Sequence, residues 1–416
     1  MNKVLVIGGG GREHAIVDAL SRSPQVSEIF CAPGNAGIAQ QATCVNLKDT
    51  DVEGLLAFAK EQQIDLTVVG PEAALSVGVV DAFRAAGMPI FGHTKLATRI
   101  ESSKEFAKEL MLKYGIPTAA YRSFTDYAEA LEYIKQGTFP AVIKYDGLAA
   151  GKGVVIAENL EEAEAALRDM LLDASFGEGK VVIEEFLRGP EFSFMCFVDG
   201  GRVYPMPLAQ DHKRAFDGDM GPNTGGMGAY TPLPFITPED ERFALENILK
   251  ATAEAMVQEG CPLSGVLYGG LMKTRQGIRV IEFNARFGDP ETEVVLPLLD
   301  SDPFEVFSRV AKGQPLSALR WRNEATVGVV LASCGYPGSY EKGHLIEGSE
   351  NFQGRIYHMG TKLQDGKLLT NGGRVMMCIH TGADVREAYN KVYAEMEKIH
   401  SDNLFYRKDI AHWALD

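Results

Sequence analysis

Residues 1–100 alternate short apolar runs with helical patterns, and this alternation limits the fold more than any other feature of the chain. Apolar runs such as KVLVIG and LTVVG are short and rich in β-branched residues, as is typical of strands buried in a parallel sheet. The segments between them, such as REHAIVDALSRS and VEGLLAFAKEQQ, have helical spacing. Repeated strand–helix units predict a parallel sheet covered by helices.

The glycine run Gly8–Gly11 separates the first predicted strand from the first helix. A dinucleotide fingerprint that starts at Gly8 requires a glycine at position 13, which is Glu13 here. The second strand also lacks the acidic residue that binds a ribose hydroxyl, so we do not expect NAD. The helix N-terminus favours an anion such as a phosphate monoester. A tight turn whose glycines serve packing alone is the alternative.

The pattern changes near residue 101. Two helices and four strands indicate a small α+β lid at about 121–190, and a long glycine-rich segment follows at 210–230. A helix is predicted near 238–259, and a β-rich unit begins near 325 and closes with a helix near 384–400. The fold class is therefore a multidomain α/β and α+β protein with an N-terminal, Rossmann-like parallel-sheet domain.

Charge and cysteine usage narrow the class of protein. The net charge of −15 over 416 residues argues against a nucleic-acid partner, which requires a concentrated basic face. The six cysteines form no C-x-x-C pair, so we expect reduced thiols in a cytoplasmic protein. No apolar stretch is long enough for a signal peptide or a membrane span.

The stretch KYDGLAAGKGVVI, residues 144–156, looks like a phosphate-binding loop. It does not fit the Walker A pattern, because only three residues separate Gly147 from Gly151 and because Gly153 replaces the Ser or Thr. Its flanks predict a strand on each side, hence a glycine-rich hairpin. Such a hairpin can place backbone N–H groups close to phosphates. A mobile hairpin with solvent-facing lysines is the alternative.

The stretch IEFNARFGDPE carries the strongest chemical signal. On a strand, Glu282, Asn284 and Arg286 would point to one side. The first two offer the oxygen ligands that magnesium prefers, and Arg286 suits an oxyanion. A solvated strand face is the alternative.

Two other segments are weaker candidates. In VVIEEFLRGPEF, the strand edge at Glu184 and Glu185 suits a purine and Glu191 suits ribose hydroxyls, although charges at strand ends are usually solubilising. The segment QDHKRAFDGDMGPNTGGMGAY is long and irregular, which favours a substrate loop over a disordered one.

Together these motifs resemble the ATP-grasp superfamily. Lys104 in SSKEFAKELM, Lys144 before the glycine hairpin, EEFLRGPE and IEFNARFGDPET occur in the order found in those enzymes. GGGGREHA, APGNAG, VVGPE and the QDHKRAFDGDMGPNTGGMGAY segment make the whole chain similar to the glycinamide ribonucleotide synthetase family. One strand departs from the superfamily, because YGGLMKT lacks the acidic metal ligand that often precedes the E-x-N pair.

The resemblance implies four parts and a set of site residues. Residues 1–100 would bind phosphoribosylamine, residues 101–120 with 191–323 would form the ATP-grasp body, residues 121–190 the lid, and residues 324–416 the C-terminal domain. The implied catalytic residues are Arg286, Asp211 and Lys213, and the implied metal ligands are Glu282 and Asn284. The implied nucleotide-binding residues are Lys104, Lys144, Gly151, Lys152, Gly153, Glu184, Glu185, Leu187 and Glu191. The implied substrate-binding residues are Gly10, Gly34, Asn35, Gly37, Pro71, Glu72, Asp211 and Arg286.

The implied reaction is an ATP-dependent ligation of glycine to 5-phosphoribosylamine through glycyl phosphate, with Mg²⁺ or Mn²⁺, in purine synthesis. We expect a cytoplasmic monomer. Another ATP-grasp ligase or a carboxylase is one alternative, and a non-catalytic nucleotide sensor is another. The intact E-x-N pair and both lysines argue against the sensor.

The metal assignment leads to a first prediction. Glu282→Gln should lower turnover by about 100-fold or more without unfolding the protein, because a lost ligand removes several kcal/mol of charge stabilisation. Asn284→Asp, which retains an oxygen ligand, is the matched variant. Rates measured across a magnesium titration check this, and wild-type activity of Glu282→Gln at limiting magnesium would rule out the role.

Overall fold

The computed structural model describes residues 1–147, 153–177 and 179–415. The predicted N-terminal parallel sheet is confirmed, and residues such as Val6 and Ile7 in its central strand have no exposed surface. The strands are β1 (Asn2–Gly8), β2 (Val26–Pro33), β3 (Thr43–Cys44), β4 (Leu66–Val69) and β5 (Ile90–Phe91). The helices are α1 (Gly11–Ser21), α2 (Val52–Glu61), α3 (Glu72–Ser76) and α4 (Val79–Ala85). The strand order is β3-β2-β1-β4-β5, and consecutive helices cover the sheet.

Two helices lead from this sheet into a small antiparallel sheet. Ser103 is extended and caps the second helix by accepting the Phe106 N–H, so the helix expected from residue 101 is divided there. Gly115, at φ +68°, ends it as expected. The elements are α5 (Arg99–Ser102), α6 (Lys104–Tyr114), β6 (Tyr121–Phe124), α7 (Tyr127–Lys135), β7 (Ala141–Tyr145), β8 (Val154–Ala157), α8 (Leu160–Leu171) and β9 (Val181–Glu185). The order of the small sheet is β6-β9-β7-β8.

A second antiparallel sheet forms the body and lies between the other parts of the chain. Its strands are β10 (Glu191–Asp199), β11 (Arg202–Pro205), β16 (Ser264–Thr274) and β17 (Gly277–Asn284), in the order β11-β10-β16-β17. Its helices are α9 (Pro238–Phe243), α10 (Ala251–Gln258), α11 (Glu291–Val295) and α12 (Pro303–Ala311). Among the described residues, no helix combines the length and apolar content that crossing a membrane requires.

The C-terminal sheet includes strands from the glycine-rich segment. The expected division assigns 210–230 to the body, yet two strands of this segment pair in the order β12-β15-β18-β22-β19, with β23 beside β18. The strands are β12 (Gln210–Asp211), β13 (Arg214–Phe216), β14 (Met220–Asn223), β15 (Gly228–Thr231), β18 (Ala325–Ser333), β19 (Arg355–His358), β20 (Thr361–Gln364), β21 (Lys367–Thr370), β22 (Arg374–Gly382) and β23 (Leu404–Phe405). The helices are α13 (Val385–Met396) and α14 (His412–Leu415). The segment is therefore shared between two units, because β15 pairs with β18 on one side and with the edge strand β12 on the other.

Four buried phenylalanines join the N-terminal sheet to the body. Phe91 comes from β5, Phe197 from β10, Phe307 from α12, and Phe287 follows β17. The centroid of the Phe307 ring lies 5.0 Å from Phe91, 5.8 Å from Phe197 and 6.0 Å from Phe287. Aromatic contacts at these separations add to the free energy of burial. The cluster therefore fixes how the first sheet meets the strand that carries the metal motif.

Removal of one ring should loosen this junction. We expect Phe307→Ala to destabilise the protein by about 3–5 kcal/mol, since it loses a fully buried ring and leaves a cavity. Phe307→Leu should cost less because it fills more of the space. Chemical denaturation of both variants beside wild type measures the effect, and equal midpoints for Phe307→Ala and wild type would contradict it.

Candidate active site

Glu282 and Asn284 on β17 lie where the small sheet meets the body, since Lys144 of the small sheet contacts the Ile281 carbonyl; the space around these groups is here called the cleft. The two side chains share one face because they are two residues apart on a strand. Arg286 was expected on the same strand, but β17 ends at Asn284, so Arg286 belongs to the loop that follows. In that loop, the guanidinium of Arg286 has partners that a strand position would not offer.

Three lysines create a positive field around Glu282. Burial alone would raise the pKa of Glu282. The effect of the nearby cations is larger, so the pKa of Glu282 is lowered; these cations are Lys213, Lys144 and Lys104. An ionised carboxylate beside an amide oxygen is a donor set that suits a hard divalent cation. The field also suits a polyphosphate, whose charge the lysines would offset.

Lys144 links the small sheet to the body. Its ammonium donates to the Ile281 carbonyl at 3.1 Å and lies 2.9 Å from Glu184 Oε1. Lys104 approaches from α6, where its ammonium donates to the Gly147 carbonyl at 3.0 Å. Both lysines therefore lie at the start of the same hairpin, and their role toward a nucleotide stays a prediction. Gly151 and Lys152 lie outside the described residues, and Gly153 accepts the Tyr145 N–H through its carbonyl at 2.8 Å.

Lys108 is a member of this charge cluster that the sequence reasoning missed. Its Nζ lies 2.8 Å from Glu184 Oε2 and donates to Thr118 Oγ1 at 2.8 Å. Burial lowers the pKa of Lys108 to about 8, against the attraction of Glu184. Lys108 is four residues after Lys104 on one helix, so helical spacing was the available signal. Its role is to hold Glu184, which Lys144 also contacts.

The expected purine edge lies at the end of β9. Glu184 is buried. Glu185 is exposed, lies opposite Ala141 of β7, and donates its N–H to the Ala120 carbonyl at 3.0 Å. Leu187 is half-buried in the loop beyond. Glu191 begins β10 and accepts from Lys213 Nζ at 2.9 Å. The carboxylate expected to bind ribose hydroxyls therefore already neutralises a lysine of the glycine-rich loop.

Arg286 lies between two carboxylates from other parts of the chain. Its Nε is 3.4 Å from Glu72 Oε2 and 3.3 Å from Glu101 Oε1, and Glu101 Oε2 accepts the Ala285 N–H at 2.8 Å. Pro71 is the residue that precedes α3, so the VVGPE motif places Glu72 here. Burial opposes the charge on Arg286, but the two carboxylates raise its pKa. The guanidinium is therefore a fixed cation.

Asp211 and Lys213 form the third side of the cleft. Burial raises the pKa of Asp211 to about 7, with further contributions from Glu291 and Glu191, while Lys213 opposes the shift. Glu291 Oε1 accepts from Ser193 Oγ at 2.7 Å and from Tyr268 Oη at 2.8 Å. A carboxyl group that titrates near neutrality, close to a half-buried lysine that pairs with Glu191, can bind an ammonium or accept a proton.

The N-terminal glycine loop is packed more tightly than the sequence suggests. Gly10 has φ −99°, and its N–H donates to Glu13 Oε2 at 2.7 Å, so a carboxylate already occupies an amide that was expected to bind a phosphate. Asn35 Nδ2 donates to the Gly9 carbonyl at 2.9 Å and to the His358 carbonyl at 2.7 Å.

The loop around Gly34 is equally constrained. Gly34 adopts φ +72°, and the N–H of Gly37 donates to Asn35 Oδ1 at 2.9 Å. A Cβ on Gly10 would lie 3.1 Å from Glu13 Oε2 and 3.7 Å from Asp289 Oδ2. Glu13 is paired with Arg12 at 2.6 Å and Asp289 with Arg374 at 2.9 Å, so the carboxylates beside Gly10 are hydrogen-bond acceptors within ion pairs and suit donor groups.

Comparisons with known proteins agree with this geometry. Three models of the phosphoribosylglycinamide synthetase family match the chain: the N domain at residues 2–101, the ATP-grasp (A) domain at 102–292 and the C domain at 326–413. The chain is 52% identical over 416 residues to a phosphoribosylamine–glycine ligase of Halalkalibacterium halodurans, covering 99% of this chain and 97% of the relative. It is 47% identical over 422 residues to the ligase of the same name from Vibrio parahaemolyticus, covering 99% and 98%.

Solved structures are similar along the whole chain. The crystal structure of a phosphoribosylamine–glycine ligase from Thermotoga maritima has a TM-score of 0.88 and 37% identity, covering 98% of this chain and 100% of that one. The biotin carboxylase domain of a 2-oxoglutarate carboxylase from Hydrogenobacter thermophilus has a TM-score of 0.75 at 18% identity, covering 97% and 91%. The second likeness concerns the fold alone.

Lys108 supplies the prediction from this geometry. Lys108→Met should raise the apparent Kd for ATP by about tenfold, since Glu184 loses a buried partner and no longer holds Lys144 as firmly. Lys113→Met on the same helix removes an exposed cation and should bind ATP like wild type. Calorimetric titration with ATP measures both, and equal affinities for the two variants would refute the role.

Proposed function

The chain belongs to the phosphoribosylglycinamide synthetase family and is an ATP-dependent ligase, and we propose that it joins glycine to 5-phosphoribosylamine in purine synthesis. The observation that carries this proposal is the convergence on Glu282 of lysines from three parts of the chain: Lys104 before the small sheet, Lys144 within it and Lys213 on the glycine-rich loop. Such an arrangement suits a reaction whose main difficulty is charge on a transferred phosphoryl group.

The nucleotide would lie between the small sheet and the body. Lys104, Lys144 and the hairpin glycines would contact its phosphates, and the backbone after Glu184 would contact its base as far as Leu187. Glu191 would exchange its bond to Lys213 for the ribose hydroxyls. That exchange would free Lys213 to face the phosphates at the moment when ATP binds.

Glu282 and Asn284 would hold Mg²⁺, or Mn²⁺, because their oxygens share one face and the carboxylate is ionised. When bound, the ion supplies neutralisation of the triphosphate charge and helps to orient it. Lys104 and Lys144 would add to that neutralisation from the opposite side of the cleft.

Glycine would be bound by its two charged ends. Arg286 is the fixed cation for its carboxylate, and Asp211 is the acid group for its ammonium. A carboxylate oxygen of glycine attacks the γ-phosphorus, which releases ADP and gives glycyl phosphate. The amine of phosphoribosylamine then attacks the carbonyl carbon, phosphate leaves, and the amine loses one proton. Positioning is sufficient for both steps, so no protein nucleophile is required.

The amine substrate would lie against the N-terminal loops. Gly10 lies close to Asp289, and Asn35 connects this loop to the one after β2 by donating to the Gly9 carbonyl and accepting the Gly37 N–H. Because Glu13 and Asp289 flank Gly10, we place the hydroxyl and amine donors of phosphoribosylamine there, rather than its phosphate.

The remaining assignments are proposals of the same kind. We propose that the protein is a monomer in the cytoplasm. All six cysteines are free, which suits that compartment. We retain the division into an N-terminal part, a body, a lid and a C-terminal part. The glycine-rich segment is shared between the body and the C-terminal part.

Substrate dependence of ADP release tests the function. Purified protein with ATP and magnesium should release ADP rapidly only when both glycine and phosphoribosylamine are present. Bicarbonate in place of glycine tests the carboxylase alternative, and alanine tests the size of the acid pocket. ADP release that depends on bicarbonate, or on neither added acid, would refute the proposal.

The division between the two substrate regions leads to a crossed prediction. Gly10→Val should raise the KM for phosphoribosylamine by about tenfold or more and leave ATP binding within twofold, because the new side chain enters the space beside Asp289. Lys144→Ala should show the reverse. The measurements are calorimetry with ATP alone and steady-state KM for the amine. Loss of ATP binding by Gly10→Val with a native thermal melt would show that the loop belongs to the nucleotide site.

A further inference from the structure

Residues 405–412, here called the C-terminal segment, contact the glycine-rich loop at 212–224 at several points. Arg407 is the largest fully buried side chain of the described residues, with 1% of its surface exposed. It donates to the Arg214 carbonyl at 3.0 Å, to Asp219 Oδ1 at 3.0 Å and to Asp409 Oδ1 at 2.7 Å. A buried guanidinium that donates to oxygens of three residues holds those residues in one arrangement.

Further bonds join the same two segments. The Lys408 N–H donates to Asp217 Oδ1 at 2.7 Å, and the Gly218 N–H donates to Asp409 Oδ2 at 2.8 Å. The rings of Phe216 and Phe405 lie 6.0 Å apart. Each bond spans about half of the chain, so none is a consequence of local loop geometry.

His212 connects this contact to the active site. It lies between Asp211 and Lys213, and its Nε2 accepts the Ala411 N–H at 2.9 Å. The backbone there is extended, since the His212 N–H pairs with the Gly228 carbonyl. Alternation along an extended chain directs His212 to the C-terminal segment and its two neighbours to the cleft. The anchoring of one side chain thus sets the position of the other two.

The same cluster could be taken for a metal site, because one ligand atom each of His212, Asp219 and His412 lies within 4.8 Å of the others. The hydrogen bonds exclude this. His212 Nε2 accepts a hydrogen bond from the Ala411 N–H, so the neutral ring carries its proton on Nδ1, the atom that faces Asp219. The carboxylate of Asp219 is also occupied by Arg407 at 3.0 Å.

We propose that the C-terminal segment is a positioning element of the active site. Arg407 and Asp219 hold the 212–224 loop in the form that presents Asp211 and Lys213 to the cleft. Arg407 is a positioning residue, because it acts through the loop and contacts neither of those side chains among its hydrogen bonds. The identity of the substrates that respond rests on the proposed function.

Asp219→Asn is the sharpest variant for a test. Asp219 has φ +54°, a conformation that Asn tolerates, so the change removes the charge with little backbone strain. Arg407→Lys keeps the charge but not the planar fork. Glu395→Gln is the matched control, since it neutralises a carboxylate of the same C-terminal region that pairs with Lys398 away from the loop.

Two measurements on the full chain decide the question. In hydrogen exchange, amides at 214–221 of Asp219→Asn should exchange about tenfold faster than in wild type, while Glu395→Gln stays at the wild-type rate. In steady-state kinetics, the KM for glycine should rise about tenfold, and the KM for phosphoribosylamine, which we place against the N-terminal loops, should stay within twofold. Arg407→Lys should fall between Asp219→Asn and wild type in both.

Native exchange in Asp219→Asn would overturn the proposal, as would faster exchange with an unchanged KM for glycine. Equal rises in both KM values would also overturn it, because a merely structural loss acts on both substrates. Failure of the proposed function would be visible separately, as ADP release by wild-type protein that does not depend on glycine, while the exchange rates still report on the loop.

Discussion

Charged groups buried where the small sheet, the body and the N-terminal sheet meet impose the constraint on which this structure depends. An unpaired charge in such a place costs several kcal/mol, so every cation requires a carboxylate or carbonyl from another unit. Lys144 reaches Glu184 and the Ile281 carbonyl, and Arg286 reaches Glu72 and Glu101. The units pack together in the arrangement that satisfies these groups.

The same constraint accounts for the chemical character of the cleft. Low local dielectric strengthens each charge interaction, so a few lysines can keep Glu282 ionised while Asp211 titrates near neutrality. Groups with contrasting protonation behaviour thus face one space. The phosphoryl transfer and the attack of an amine that we propose would use both kinds of group, and neither step would require a nucleophile from the protein.

Sequence patterns predicted the parts of the structure that depend on neighbours along the chain. The strand–helix repeats, the Gly115 helix end and the shared face of Glu282 and Asn284 follow from local periodicity. Arg286 was misplaced because the end of a strand depends on the pairing partner. The sequence did not predict Lys108, Glu101 and Arg407 as site residues, because their importance depends on contacts with residues distant in sequence. The packing of Glu13 against Gly10 depends on side-chain direction, which spacing alone does not specify.

The sheet shared by the glycine-rich segment and the C-terminal region also has a consequence for biosynthesis. Strand β15, which pairs with the strand carrying Asp211, has β18 as its other neighbour, about a hundred residues later in the chain. During translation the body can begin to fold while β18 is still inside the ribosome, but the sheet that supports Asp211 cannot close. A nascent chain would therefore form the region that we propose for the nucleotide before the region that we propose for the acid, and could hold ATP without being able to use it.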